Sequence, residues 1–174
     1  MDDKLKTIFT FVHEMVKFSE AKNAVFIALN ASAILGILKI LSDAKICSTW
    51  IKYYMYEFIF LTVIGLLISL LSFFPRIKLT WLLCEGKPSP DDNLLLYTDI
   101  CKYNEPTYLD ALMTSMNEPL RKYSQFEKFY ANQIIINSKI ALRKYKLFRK
   151  ALWCTLAAIL TPIIALLILC FLEE

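Results

Sequence analysis

The stretch Ala151–Leu172, ALWCTLAAILTPIIALLILCFL, decides what kind of chain this is. It holds 22 residues and no charge. A membrane-spanning helix needs about 20 apolar residues. Pro162 sits mid-run and should kink or loosen the helix there. Working back along the chain, a second run covers Phe58–Phe74, FIFLTVIGLLISLLSFF, and ends at Pro75-Arg76. Tyr53, Tyr54 and Tyr56 precede it and Trp81 follows, which suits the aromatic belts of a bilayer interface. A third run, Ala24–Ser42, carries Asn30, Ser32 and Lys39. A buried soluble helix would also fit that run, but Lys39 lies near its end, where it can snorkel.

The whole composition agrees. Hydrophobic residues make up 57% of the 174-residue chain and charged residues 21%, and the mean hydropathy is +0.46. Soluble domains average about 45–50% apolar, and disordered chains are poor in aromatics and branched aliphatics. The expected fold is therefore all-α: an integral membrane protein with three transmembrane helices and a cytoplasmic helical bundle. The chain is expected to form a single unit over residues 1–174. Its spans fall at about 24–42, 58–74 and 151–172, and its cytoplasmic part is residues 1–23 plus 76–150.

Lysine and arginine set the expected orientation. Residues 1–23 carry four and residues 76–150 carry thirteen, against two in residues 43–56. The N-terminus is then cytoplasmic and the C-terminus lies outside the cytoplasm, in a multi-pass protein. Asp2 and Asp3 open the chain, and no small-residue cleavage site follows the first apolar run, so a cleavable signal peptide is not expected.

Leu5, Ile8, Phe9, Val12, Met15 and Val16 recur at helical spacing, and no Gly or Pro interrupts the chain before Gly36. One long helix from about Lys4 to about Leu41 is expected. Ser89-Pro90 with Asp92, Asn104-Glu105-Pro106 and Asn117-Glu118-Pro119 all read as helix starts. They predict helices over about 90–103, 105–116 and 118–150. The last should continue into the final span, because no breaker lies between Pro119 and Pro162. Two stripes mark it. Lys128, Asn132, Lys139, Arg143, Lys146 and Lys150 make a basic one, and Phe126, Tyr130, Gln133, Asn137, Ile140 and Lys144 make an adjacent mixed one.

An enzyme is not expected. The chain has no GxxxxGK[ST] and no GxSxG. His13 stands alone, without an obvious Cys or Ser partner. Asp91-Asp92 suits the first turn of a helix better than paired-acid chemistry. The five cysteines form no CxxC pair, so neither a zinc site nor any metal or cofactor is expected. Nucleic acid is a poor partner for so small a basic surface, with acids interspersed through residues 85–127. Arg149 and Lys150 suit contact with anionic membrane lipid. Lys139, Arg143 and Lys144 lie further out and could grip an anion, because guanidinium and ammonium groups both hold phosphate.

Several motifs taken together resemble one family. They are Phe18-Ser19-Glu20-Ala21-Lys22-Asn23-Ala24 with Asn30, then Phe74-Pro75-Arg76, then Tyr97-Thr98-Asp99-Ile100. The last set is Gln133, Asn137, Ser138, Lys144, Tyr145 and Arg149 ahead of the final span. In order and layout they resemble the Pycsar transmembrane effectors, a bacterial anti-phage family, over about residues 10–172. The resemblance implies an effector that senses a cyclic nucleotide from a partner cyclase, most naturally a cyclic pyrimidine mononucleotide. It would then impair the inner membrane and cause abortive infection. On that reading the ligand-binding residues are Lys22, Gln133, Asn137, Lys139, Arg143 and Lys144. A homo-oligomer is expected, since three short spans cannot enclose a pore alone. The rival readings are a membrane scaffold and a constitutive small channel, neither with a nucleotide ligand.

Overall fold

The computed structural model describes residues 1–42, 49–74, 84 and 86–172, and for residues 165–172 the backbone alone. Lys45, Cys47, Pro75, Arg76, Trp81 and the terminal Glu173-Glu174 lie outside the described residues, as does the side chain of Cys170. Five helices follow in order: α1 Asp2–Ser42, α2 Thr49–Leu71, α3 Tyr97–Ile100, α4 Glu105–Ser115 and α5 Gln125–Leu172. The described residues contain no strand, so the fold is all-α. Three helices, α1, α2 and α5, are long and apolar enough to cross a membrane. The long first helix is present as expected. So is the helix that joins the last basic segment to the last apolar run, and it continues through Pro162.

The starts and stops between these helices differ in part from the sequence expectation. Asn104 does cap α4: its side chain accepts from Thr107 N–H at 3.0 Å, and Thr107 Oγ1 accepts from Asn104 N–H at 3.1 Å. Ser89 and Asp92 make the same kind of reciprocal contact, with Ser89 N–H donating to Asp92 Oδ2 at 2.9 Å and Asp92 N–H to the Ser89 carbonyl at 3.1 Å. There the result is a turn. The expected helix over 90–103 reduces to the single turn of α3. Asn117 does the opposite of what its triplet suggests. Its φ is 53°, the left-handed conformation that Asn tolerates at a helix end. The N–H of Glu118 donates back to the carbonyl of Met113 at 3.0 Å. Asn117 therefore stops α4. The expected start of the last helix at 118 moves to Gln125, where Ser124 and Glu127 form the capping box. Ser124 N–H donates to Glu127 Oε2 at 2.8 Å, and Glu127 N–H to Ser124 Oγ at 3.2 Å.

The chain forms two compact units. The first comprises Met1–Ala21 and Pro75–Tyr145, the second Lys22–Phe74 and Lys146–Glu174. The core of the first gathers Leu5, Ile8 and Val12 of α1, Ile100 of α3, Tyr103, then Tyr108, Leu109 and Leu112 of α4 and Ala131, Ile134 and Ile135 of α5. Each large aliphatic buried there contributes roughly 1.5–3 kcal/mol. Two tyrosines of this core tie down the loop before α3. Tyr103 donates to the Ser89 carbonyl at 3.0 Å and Tyr108 to that of Leu94 at 2.9 Å. Burial holds the Tyr108 phenol well above its ordinary range.

The second unit packs the rest of α1, α2 and the rest of α5. Phe26 and Phe148 meet edge to face at 5.4 Å. Gly65 of α2 lets α5 come close: a Cβ built there would stand 3.1 Å from the Ala151 carbonyl oxygen and 3.2 Å from Thr155 Oγ1. Leu29, Leu35, Phe60, Leu67, Trp153 and Ile163 are exposed on this unit. An apolar surface of that extent belongs against lipid.

Candidate functional site

The first unit holds a cavity of about 870 Å³. Its walls come from three separated pieces of chain. The start of α1 supplies Met1, Lys4, Leu5 and Ile8, the loop before α3 supplies Ser89, Asp92, Asn93, Leu94 and Leu95, and α4 with its end supplies Leu112, Ser115 and Met116. Most of the lining is apolar, and Lys4 is the lining residue that carries a positive side chain. Its Nζ lies 2.9 Å from Met116 Sδ and 3.6 Å from Glu118 Oε1.

The loop wall is held by charge. Lys102 Nζ is 2.7 Å from both Asp92 Oδ1 and Asp99 Oδ1. The Lys102 ammonium and the Ser89 N–H hold the Asp92 carboxyl below the usual carboxylate range. In turn the two aspartates raise Lys102 above the ordinary lysine range. Asn93 keeps the bend, accepting from Leu95 N–H at 3.0 Å while its own N–H donates to Asp99 Oδ2 at 3.2 Å. The Asp99 of the Tyr97-Thr98-Asp99-Ile100 motif thus acts by shaping the cavity's loop.

The six residues singled out in the sequence lie elsewhere, and none lines the cavity. Lys22 is exposed on α1 in the second unit. The other five are on α5 in the first unit. At 100° per residue, Gln133, Asn137 and Lys144 share one edge of the helix, and Lys139 and Arg143 share another. Gln133 is exposed, while Asn137, Lys139 and Arg143 are partly buried. Lys144 is buried, and its Nζ donates to Glu20 Oε1 of α1 at 2.7 Å. Any anion at Lys144 therefore competes with a carboxylate already in place. Beside it, Tyr145 stacks on Tyr97 with ring centres 5.1 Å apart and planes 15° apart, joining α5 to α3. Lys139 acts on the buried Cys101 thiol. Burial and the neighbouring Cys84 raise that thiol, and Lys139 opposes them. His13 stacks on Phe9 at 5.9 Å, a packing role.

The sequence reading did not find the cavity or the Lys144–Glu20 pair. The cavity combines the start of α1 with segments about 80–115 positions later, and the ion pair joins residues 124 positions apart. Only the Ser89/Asp92 spacing gave a local signal, as capping chemistry.

Fold and cavity together define a multi-pass helical membrane protein that also carries a chambered helical unit. A family model for the Pycsar effector protein domain matches residues 4–171 of the 174. The chain belongs to the Pycsar effector family and is a Pycsar-type anti-phage membrane effector. Comparison with curated proteins and with solved structures gives no match.

Proposed function

We propose that this effector is switched on by a cyclic nucleotide and then impairs the bacterial inner membrane to abort infection. The observation that carries the proposal is the cavity, in a chain of this family. Small-molecule pockets run to about 300–1,000 Å³, with apolar walls and a few polar groups. A chamber of 870 Å³ falls in that range. The ligand is a cyclic pyrimidine mononucleotide supplied by a partner cyclase. Its flat base would rest against Leu5, Leu94 and Leu112, and its single phosphate charge would face Lys4. The N-terminus lies in the cytoplasm and the C-terminus outside it, and copies assemble into an oligomer. Lys139, Arg143 and Lys144 of α5, with Gln133 and Asn137, are the rival place for the phosphate.

The test is calorimetry on full-length protein in detergent against a panel of 3′,5′-cyclic nucleotides. Lys4→Ala and Leu112→Trp are set beside Arg143→Ala and Lys144→Ala. Loss of one charge-assisted contact should weaken binding roughly ten- to hundredfold. A loss at Lys4 and Leu112 alone places the ligand in the cavity, and a loss at Arg143 and Lys144 alone places it on α5. If no cyclic nucleotide binds, the proposal fails in favour of a scaffold or a constitutive small channel. Reporter fusions at the two termini should report opposite compartments, and two cytoplasmic signals would refute the proposed orientation.

A further inference from the structure

The interior of the second unit is built inside out. On α2 the buried positions are Thr62, Gly65 and Ser69, with buried Ser72 in the turn that follows, while Phe60, Leu67, Leu70 and Phe73 are exposed. Steps of three, four and three residues place the small and hydroxyl side chains on one helix face. Opposite them, Asn23 and Asn30 of α1 are fully buried, and Thr155 of α5 nearly so. Asn23 Nδ2 donates to Ser72 Oγ at 2.7 Å, and Thr155 Oγ1 donates to Asn30 Oδ1 at 3.0 Å. At 1.5 Å rise per residue, Ser72 to Thr62 covers about 15 Å, roughly half of a ~30 Å hydrocarbon core.

Three oxygens in this seam have no hydrogen-bond partner: Asn23 Oδ1, Thr62 Oγ1 and Ser69 Oγ. Buried polar groups are nearly always paired, and lipid offers no water to a group inside a bundle. Close helix packing explains a glycine such as Gly65. It does not explain the orphaned oxygens, because Val at 62 and Ala at 69 would fill nearly the same space with nothing left unmet. Hydroxyl and amide oxygens without a fixed charge are suited to water and to partly dehydrated cations.

We propose that the seam of Asn23, Asn30, Thr62, Ser69, Ser72 and Thr155 is dry while the helices are closed and fills with water when they part. In the oligomer, where several copies together enclose what three spans cannot, it then lines the path for water and small monovalent cations. The path rests on the membrane-impairing reading above, whereas the dry seam rests on the unpartnered oxygens alone.

The test compares full-length wild type with Thr62→Val/Ser69→Ala in K⁺-loaded vesicles of phosphatidylethanolamine and phosphatidylglycerol. The probes are 3′,5′-cyclic CMP and 3′,5′-cyclic UMP. The double variant should bind the nucleotide like wild type and release K⁺ at least about tenfold more slowly, since an apolar constriction gates by dewetting. It should also melt at a higher temperature, having lost two unpaired hydroxyls. Unchanged K⁺ release would overturn the path and leave nucleotide gating standing. A lower melting temperature would overturn the seam itself, because the hydroxyls would then already be satisfied. If wild type neither binds nucleotide nor releases K⁺, nucleotide gating fails, and the melting comparison still decides the dry seam.

Discussion

Two glycines should respond in opposite ways to the same change. A Cβ at Gly65 stands 3.1 Å from a backbone oxygen of α5, Ala151 O, and 3.5 Å from Cys154 Cβ. A Cβ at Gly36 meets nothing within 4 Å. Replacing either glycine by leucine improves helix propensity by about 1 kcal/mol. At position 65 the side chain must also push into α5. The first atom meets backbone rather than a flexible side-chain end. Overpacking of this kind costs about 1–3 kcal/mol or more, and a four-carbon side chain belongs at the upper end. Gly65→Leu should therefore destabilise by about 2 kcal/mol net, and Gly36→Leu should be neutral or stabilising by up to about 1 kcal/mol. For a chain of this size, about 1 kcal/mol shifts the melting temperature by roughly 2–4 °C. The two variants should differ by about 4–12 °C when the purified proteins are melted in one detergent. Equal melting temperatures would refute the close approach of α2 and α5 at Gly65.

Phe148→Pro should cost about 3 kcal/mol locally and break α5, so helicity by circular dichroism and toxicity should both fall while the protein still inserts. Normal toxicity with an intact insertion signal would count against a working helix through that point. The Glu127 carboxyl, which is 2% exposed, is held below the ordinary glutamate range by Arg121. A carboxyl depressed in the folded state stabilises the fold above its unfolded pKa of about 4.3, and that stabilisation is lost as pH falls through the lower folded value. Melting curves of wild type should therefore drop below about pH 4, and Glu127→Gln should flatten that drop. Asn117, at φ 53°, should accept Gly with a small gain, whereas Asn117→Val should lower thermal stability by about 1–2 kcal/mol.

The long helices were legible because their cause is local: α1 and α5 lack an early breaker, and apolar residues recur at helical spacing. The short elements were harder for a physical reason. Asn-Glu-Pro occurs at 104 and at 117, and the same three residues start one helix and follow the end of another. Asn can cap a helix from the extended region or end it from the left-handed region, and the choice is made by tertiary packing. Ser124-x-x-Glu127 carried the true start signal in the same sequence, seven residues past the false one. Lys144 was visible as a cation on an otherwise mixed stripe. Its partner Glu20 was not, because no spacing rule connects α1 to α5.

The hydrogen bond from Thr155 to Asn30 has a consequence for how the protein is made. The first span carries an amide whose oxygen is satisfied by a residue 125 positions later in the chain. Synthesis runs from the N-terminus. When α1 leaves the translocation machinery, Thr155 has not yet been translated, and Asn30 must wait in lipid or beside the machinery for it. The membrane half of this effector therefore stays unfinished until the ribosome has passed the codon for Thr155, and a chain cut short before residue 155 leaves that amide oxygen without its partner.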